Sequence, residues 1–233
     1  ALTAQNTRGV SGIHLVPPDF VKAQIEAVFD DIRVDAVKIG MIATAEIATA
    51  VGAALAERDV PVVLDPVMIA KGGAPLLQPD AVAALRAHLL PLASLLTPNL
   101  PEAAHLLGQD GAQTRDEMEA QGRALVALGP RAVLMKGGHL SDADSPDCLV
   151  TDAGSFWFES VRVATKNTHG TGCTLSSALA ARLGHGEALP EAVAAAKTYV
   201  SNAIAGAEVL DVGNGHGPTH HFAAMYAATG VSK

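Results

Sequence analysis

The chain has 233 residues, 49% hydrophobic and 17% charged, with 22 glycines and 13 prolines, which is ample material for one α/β core. Its net charge of −8 argues against a nucleic-acid or anionic-membrane partner, though not against a phosphorylated ligand gripped by a few N–H groups and a lysine. Two cysteines, Cys148 and Cys173, make no disulfide framework and point to a reducing cytoplasm, and no apolar run reaches membrane-spanning length.

In chain order, Ala1–Gln5 reads as the inside of a strand. Pro18–Asp31 is an amphipathic helix with proline in its first turn. Asp35–Gly40 is a short strand, Thr44–Arg58 an alanine-rich helix and Val60–Asp65 a buried strand. Asp80–Leu90 is helical and Leu95–Thr97 extended. Thr114–Leu128 opens with the capping-box pattern Thr114-x-x-Glu117, and Ala132–Lys136 is a strand. Asp147–Val163 breaks this rhythm with two or three antiparallel strands around the turn Thr151–Gly154. The final third is helical, over Thr174–Leu183 and Leu189–Val209. The alternation predicts an α/β fold with a mostly parallel central sheet, helices on both faces and a small antiparallel excursion.

The most informative segment is Asn167-Thr-His-Gly-Thr-Gly-Cys173, placed between a strand-like stretch, Phe156–Thr165, and a helix. Glycines leading into a helix aim several N–H groups and the positive end of its dipole at one spot, which suits phosphate. Gly170 and Gly172 allow close backbone approach, and Cys173 falls in the same field as a potential base or nucleophile. The segment is neither a Walker A loop nor a dinucleotide fingerprint.

Polar motifs also end each predicted strand: Gly40-Met41, Asp65-Pro-Val-Met68, Thr97-Pro-Asn99-x-x-Glu102 and Lys136-Gly-Gly-His139. Ligands of such sheets gather beyond the carboxyl ends of the strands, so a shared site is expected there. Asp65, Asn99 and Glu102 are oxygen donors of the kind Mg²⁺ takes, while Asn99 and Glu102 equally suit a helix cap with an acidic first turn. Lys136 is placed to reach a phosphate or to lie solvated. Lys71-Gly-Gly73 reads as an exposed loop, and His220-His221 as packing or surface histidines rather than a metal pair.

Taken together, these motifs resemble the ribokinase superfamily, and within it hydroxymethylpyrimidine/phosphomethylpyrimidine kinase of thiamine biosynthesis. Ala4-Gln-Asn-Thr7 and Gly215–His221 share that likeness. The resemblance implies a ribokinase-like three-layer αβα sandwich forming one kinase domain over 1–233. It also implies that the family's first strand and Gly-rich segment, which precede the Gln5 motif, are lacking here. It implies phosphorylation, with ATP and Mg²⁺, of 4-amino-5-hydroxymethyl-2-methylpyrimidine and then of its monophosphate. On the matching positions it implies Cys173 as base, with Gly170, Thr171 and Gly172 offering N–H groups to the transferring phosphoryl. Lys136, Thr168 and His169 would serve ATP; Asp65, Asn99 and Glu102 would serve the metal; and Gln5, Met41 and Val67 would line the pyrimidine pocket. A cytoplasmic homodimer is the implied state. The rival expectations are a pyridoxal or dual-specificity kinase, more distantly a hydroxyethylthiazole kinase, a thiol enzyme pairing Cys173 with His169, and a non-catalytic pyrimidine-binding protein.

Overall fold

The computed structural model describes residues 1–68, 77–140 and 144–229. Lys71-Gly-Gly73 lies outside them. Two strands, β1 (Leu2–Asn6) and β2 (Gly9–His14), form a separate antiparallel ribbon with an irregularity between Ala4 and Gln5. The main sheet has six strands in chain order: β3 (Val37–Ile39), β4 (Val62–Leu64), β5 (Leu95–Leu96), β6 (Ala132–Lys136), β7 (Asp147–Thr151) and β8 (Gly154–Phe158). The first four are mutually parallel, and β7 and β8 are the antiparallel excursion.

Helices cover both faces. On one side lie α1 (Pro18–Asp31), α2 (Ala45–Leu55), α3 (Pro79–His88), α4 (Leu100–Leu107) and α5 (Arg115–Val126), packed against Ile39, Val62, Leu64, Leu96, Val133 and Met135. On the other lie α6 (Thr171–Gly184) and α7 (Leu189–Ala205), packed against Val63, Leu95, Ala132, Leu134 and Leu149. Alternate residues of one strand feed opposite cores, which is why β4 and β6 read as unbroken apolar runs. The arrangement is the three-layer αβα sandwich that the resemblance implies. A short α8 (Ala223–Thr229) follows α7. Among the described residues, no helix is long and apolar enough to cross a membrane.

Three local readings needed revision. The predicted strand over Phe156–Thr165 stops at Phe158, apart from an isolated bridge between Val161 and Asp144, so irregular chain leads into the glycine loop. Helix α6 begins at Thr171 rather than Thr174, because Gly170 adopts a left-handed φ of 83° and turns the chain straight into the helix. Helix α4 is an element whose only sequence trace was its capping pattern. Asn99 and Glu102 form a complete capping box, each side chain accepting the other's backbone N–H at 2.8 Å.

Candidate active site

The period of two that builds the cores also builds the site. In β4 and β6, Val63, Ala132 and Leu134 face α6 and α7. Two residues on from Val63 and Leu134 come Asp65 and Lys136, at the carboxyl ends of their strands and on that same face. The Lys136 ammonium donates to Asp65 Oδ1 at 2.9 Å and stands 3.8 Å from Glu102 Oε2. Asp65 is almost fully buried and its other bonds come from protein hydroxyls: Thr97 Oγ1 donates to Oδ1 at 3.3 Å and Ser176 Oγ to Oδ2 at 3.2 Å. Ser176 lies on α6, so the carboxylate ties the sheet to that helix.

The first turn of α6 lies directly over this ion pair. A Cβ built on Gly172 would stand 3.4 Å from Lys136 Nζ and 3.7 Å from Asp65 Oδ2, so the backbone passes close above both charges. The first i→i−4 bond runs from the Thr174 N–H to the Gly170 carbonyl at 2.8 Å, leaving the N–H groups of Gly172 and Cys173 ahead of the helical ladder. The Thr171 N–H is engaged by the Thr168 carbonyl at 3.3 Å, and the Thr171 hydroxyl donates to the same oxygen. Cys173 is exposed and lines an open groove of about 730 Å³ with Gly170, Thr174, Arg182, Tyr199 and His221. Burial pushes the thiol of Cys148 up to about 12, so of the two cysteines only Cys173 is placed for chemistry.

A strap from the C-terminal region holds the glycine loop in place. The His169 N–H donates to the Gly217 carbonyl at 3.0 Å, and the His169 carbonyl accepts the Thr219 N–H at 3.2 Å. The same strap reaches the ribbon: the Gly215 N–H donates to Thr7 Oγ1 at 3.2 Å and the His216 N–H to the Thr7 carbonyl at 2.9 Å. A side chain at position 215 would place its Cβ 2.0 Å from that carbonyl, so glycine is required. His220 and His221 have separate partners. The His221 Nε2 bonds Thr174 Oγ1 at 3.0 Å, while His220 packs edge-on against Tyr226. The Thr174 hydroxyl donates to Gly170 O, so the His221 ring nitrogen is the donor in that contact.

Electrostatically the strand ends form a mixed cluster. Burial raises the Glu102 carboxyl above its usual range, only partly offset by Lys136 and the Asn99 N–H. Burial by itself would lower Lys136, but Asp65 and Glu102 outweigh it and the ammonium is raised. Burial, then Lys136 and Arg162, lower His139.

The structure thus brings Asp65, Asn99, Glu102, Lys136, Thr168, His169, Gly170, Thr171, Gly172 and Cys173 to one end of the sheet. Met41 and Val67 are half-buried on the loops leaving β3 and β4 at that end. Gln5 is different: it is exposed on the ribbon, its Oε1 accepting from Thr3 Oγ1 at 3.2 Å, and its link to the loop is the strap anchored at Thr7. Sequence reasoning missed Ser176, Asp147, Lys197 and the strap's contacts. For Ser176 a signal existed, one helical turn beyond Gly172 on the same face. For Lys197 it was a lone charge within the run Ala194-Ala-Ala-Lys197.

A mostly parallel sheet with a glycine loop and helix N-terminus over a lysine at its carboxyl edge defines a ribokinase-like small-molecule kinase. A family model described as phosphomethylpyrimidine kinase matches residues 1–220. The hydroxymethylpyrimidine/phosphomethylpyrimidine kinase of Salmonella typhimurium is 56% identical over 227 residues, 97% of this chain and 85% of that protein. Among solved structures, an ADP complex of Bacillus subtilis pyridoxal kinase superposes with a TM-score of 0.86 at 35% identity, over 97% of this chain and 84% of that one. The phosphomethylpyrimidine kinase of Clostridium difficile gives 0.76 at 41% identity, over 87% and 83%. The chain belongs to the phosphomethylpyrimidine kinase family.

Proposed function

We propose that this protein transfers the γ-phosphoryl group of ATP to the hydroxymethyl oxygen of 4-amino-5-hydroxymethyl-2-methylpyrimidine, and then phosphorylates the monophosphate to the diphosphate. The observation that carries this is the α6 N-terminal turn lying over the Lys136–Asp65 pair. Donors and a cation there converge where charge would develop on a moving phosphoryl group.

In this reading Cys173 is the base that takes the hydroxyl proton as the oxygen attacks. The N–H groups of the Gly170–Gly172 turn stabilise the phosphoryl oxygens, with Gly172 better placed than Thr171, whose N–H already has an acceptor. Lys136 contacts the ATP phosphates, and Thr168 and His169 frame the nucleotide side. Met41 and Val67 contact the pyrimidine, and Gln5 pairs with its ring nitrogens from the ribbon.

The donor set suits a hard cation. Asp65 and Glu102 are buried carboxylates, and Mg²⁺ commonly takes one or two carboxylates and keeps several waters. Among the described residues there is no ready group of three His, Cys, Asp or Glu ligands. We therefore assign Asp65 and Glu102 to the metal and its waters, and Asn99, committed to its cap, to contact through water. When bound, the ion would neutralise charge on the ATP phosphates.

We further take residues 1–233 as one kinase domain, working in the cytoplasm as a homodimer. Exposed apolar side chains on the ribbon and α1, including Leu2, Ile13 and Phe20, favour self-association. A second reading, pyridoxal phosphorylation, is favoured by the TM-score of 0.86 to a pyridoxal kinase. ADP release with Mg-ATP and each acceptor in parallel tests both. Turnover with the pyrimidine well above that with pyridoxal is expected, and turnover with pyridoxal alone would replace the first reading by the second.

A further inference from the structure

A second buried ion pair lies behind the site. Lys197, in the middle of α7, places its ammonium 2.6 Å from Asp147 Oδ2 and 2.8 Å from the Ser145 carbonyl. Asp147 is the first residue of β7 and the direct cross-strand partner of Lys136. Its other oxygen, Oδ1, accepts the backbone N–H of Gly137 at 3.0 Å. Both charged side chains are about nine-tenths buried. The β6–β7 connection is held from outside as well, where Arg162 donates to the Gly138 carbonyl at 2.9 Å and the Leu140 carbonyl at 3.0 Å.

A buried pair of this kind is weak evidence for stability, because removing two charges from water offsets much of their attraction. Burial raises the Asp147 carboxyl despite Lys197 beside it, which marks the same cost. What the pair does supply is geometry. Lys197 fixes the Asp147 carboxylate, the carboxylate fixes the Gly137 N–H, and Gly137 is the residue that follows Lys136. The fit is close: a Cβ on Gly137 would stand 1.9 Å from the Pro146 carbonyl, so the backbone bearing Lys136 is pressed against the start of β7.

We propose that Asp147 and Lys197 are positioning residues for Lys136, holding the end of β6 so that the ammonium meets the nucleotide phosphates. The proposal rests on the kinase reading for its catalytic consequence, and on the Gly137 tether alone for its structural one.

Two double variants separate geometry from charge. Lys197→Met with Asp147→Leu removes both charges and the Gly137 acceptor, whereas Lys197→Met with Asp147→Asn removes the same charges but keeps an acceptor oxygen. The first should raise KM for ATP and the Kd for ADP by about 10- to 100-fold, leaving KM for the pyrimidine within about twofold. The second keeps an acceptor for the Gly137 N–H but loses the lysine that fixes it, so it should shift the two nucleotide constants in the same direction by less, about three- to tenfold. Amide exchange over Gly137–Leu140 should accelerate in both, more in the first than in the second.

Lys197→Arg keeps the charge and guards against a leucine variant that does not fold. Its longer, planar fork should displace Asp147 and produce the same pattern at smaller amplitude. Folded variants with wild-type nucleotide affinity and wild-type exchange would overturn the proposal, as would a parallel rise in both KM values. A wild-type protein that neither binds ADP nor turns over ATP would instead sink the kinase reading, and the exchange comparison would then decide the tether by itself.

Discussion

At the scale of single residues, Cys173 and Glu102 carry the sharpest expectations. Cys173 is exposed, so Cys173→Ala should leave the thermal midpoint almost unchanged while lowering kcat by about 10²–10⁴-fold, the range for a positioned base. Alkylation is an independent check. Iodoacetamide should label Cys173, not the buried Cys148 with its raised thiol pKa, and the pyrimidine should protect. Labelling at Cys173 without loss of turnover would remove it from the chemistry.

Glu102 gives a pH expectation. Its carboxyl is raised above the ordinary value of 4.5, chiefly by burial, so the folded state holds the proton more firmly than the unfolded chain does. Its favourable contribution is therefore complete below the unfolded value and is lost as pH rises through the folded one. Glu102→Gln keeps an oxygen for the Asn99 N–H. It should flatten that decline, matching or exceeding wild-type stability at neutral pH while slowing ATP-dependent turnover. Urea midpoints measured from pH 4 to pH 8 for both proteins check this, and a steeper decline in the variant would refute it.

At the scale of elements, the strap is what joins the two halves of the expected site. Gly215→Ala would drive a methyl into the Thr7 carbonyl and free the ribbon from the glycine loop. An isolated two-stranded ribbon is marginal in water, so amide exchange in Leu2–His14 should rise sharply, with KM for the pyrimidine rising more than KM for ATP. Unchanged exchange would show that the ribbon holds its place without the strap. This scale also explains what could be read from sequence. Strand ends and capping boxes are local signals, so Asp65, Lys136 and the Thr114 cap were legible from their immediate neighbours. The strap was not, because its bonds join Thr7 to Gly215 and His169 to Gly217, and nothing near either partner announces the other. The run Phe156–Thr165 misled for a related reason: its residues favour extended chain, but after Phe158 its only strand-type bridge among the described residues is the one between Asp144 and Val161.

At the scale of the whole molecule, the sheet between α1–α5 and α6–α7 makes the site rigid from below. Leu134 is fully buried two residues before Lys136, and Leu134→Ala should cost about 2–5 kcal/mol of stability. Its activity at a temperature well below the melting point should nonetheless persist, since the residue faces the core and not the ligand. The fold class followed from the alternation of elements alone. The substrate did not, because pyrimidine and pyridoxal both present a hydroxymethyl group on a heteroaromatic ring, and their kinases share this architecture. The central claim is tested most directly by following ³¹P resonances of Mg-ATP mixed with hydroxymethylpyrimidine and this protein. The account predicts ADP, a pyrimidine monophosphate and then its diphosphate, all suppressed in Cys173→Ala. A folded wild-type protein that binds both ligands yet forms no phosphorylated pyrimidine would contradict it.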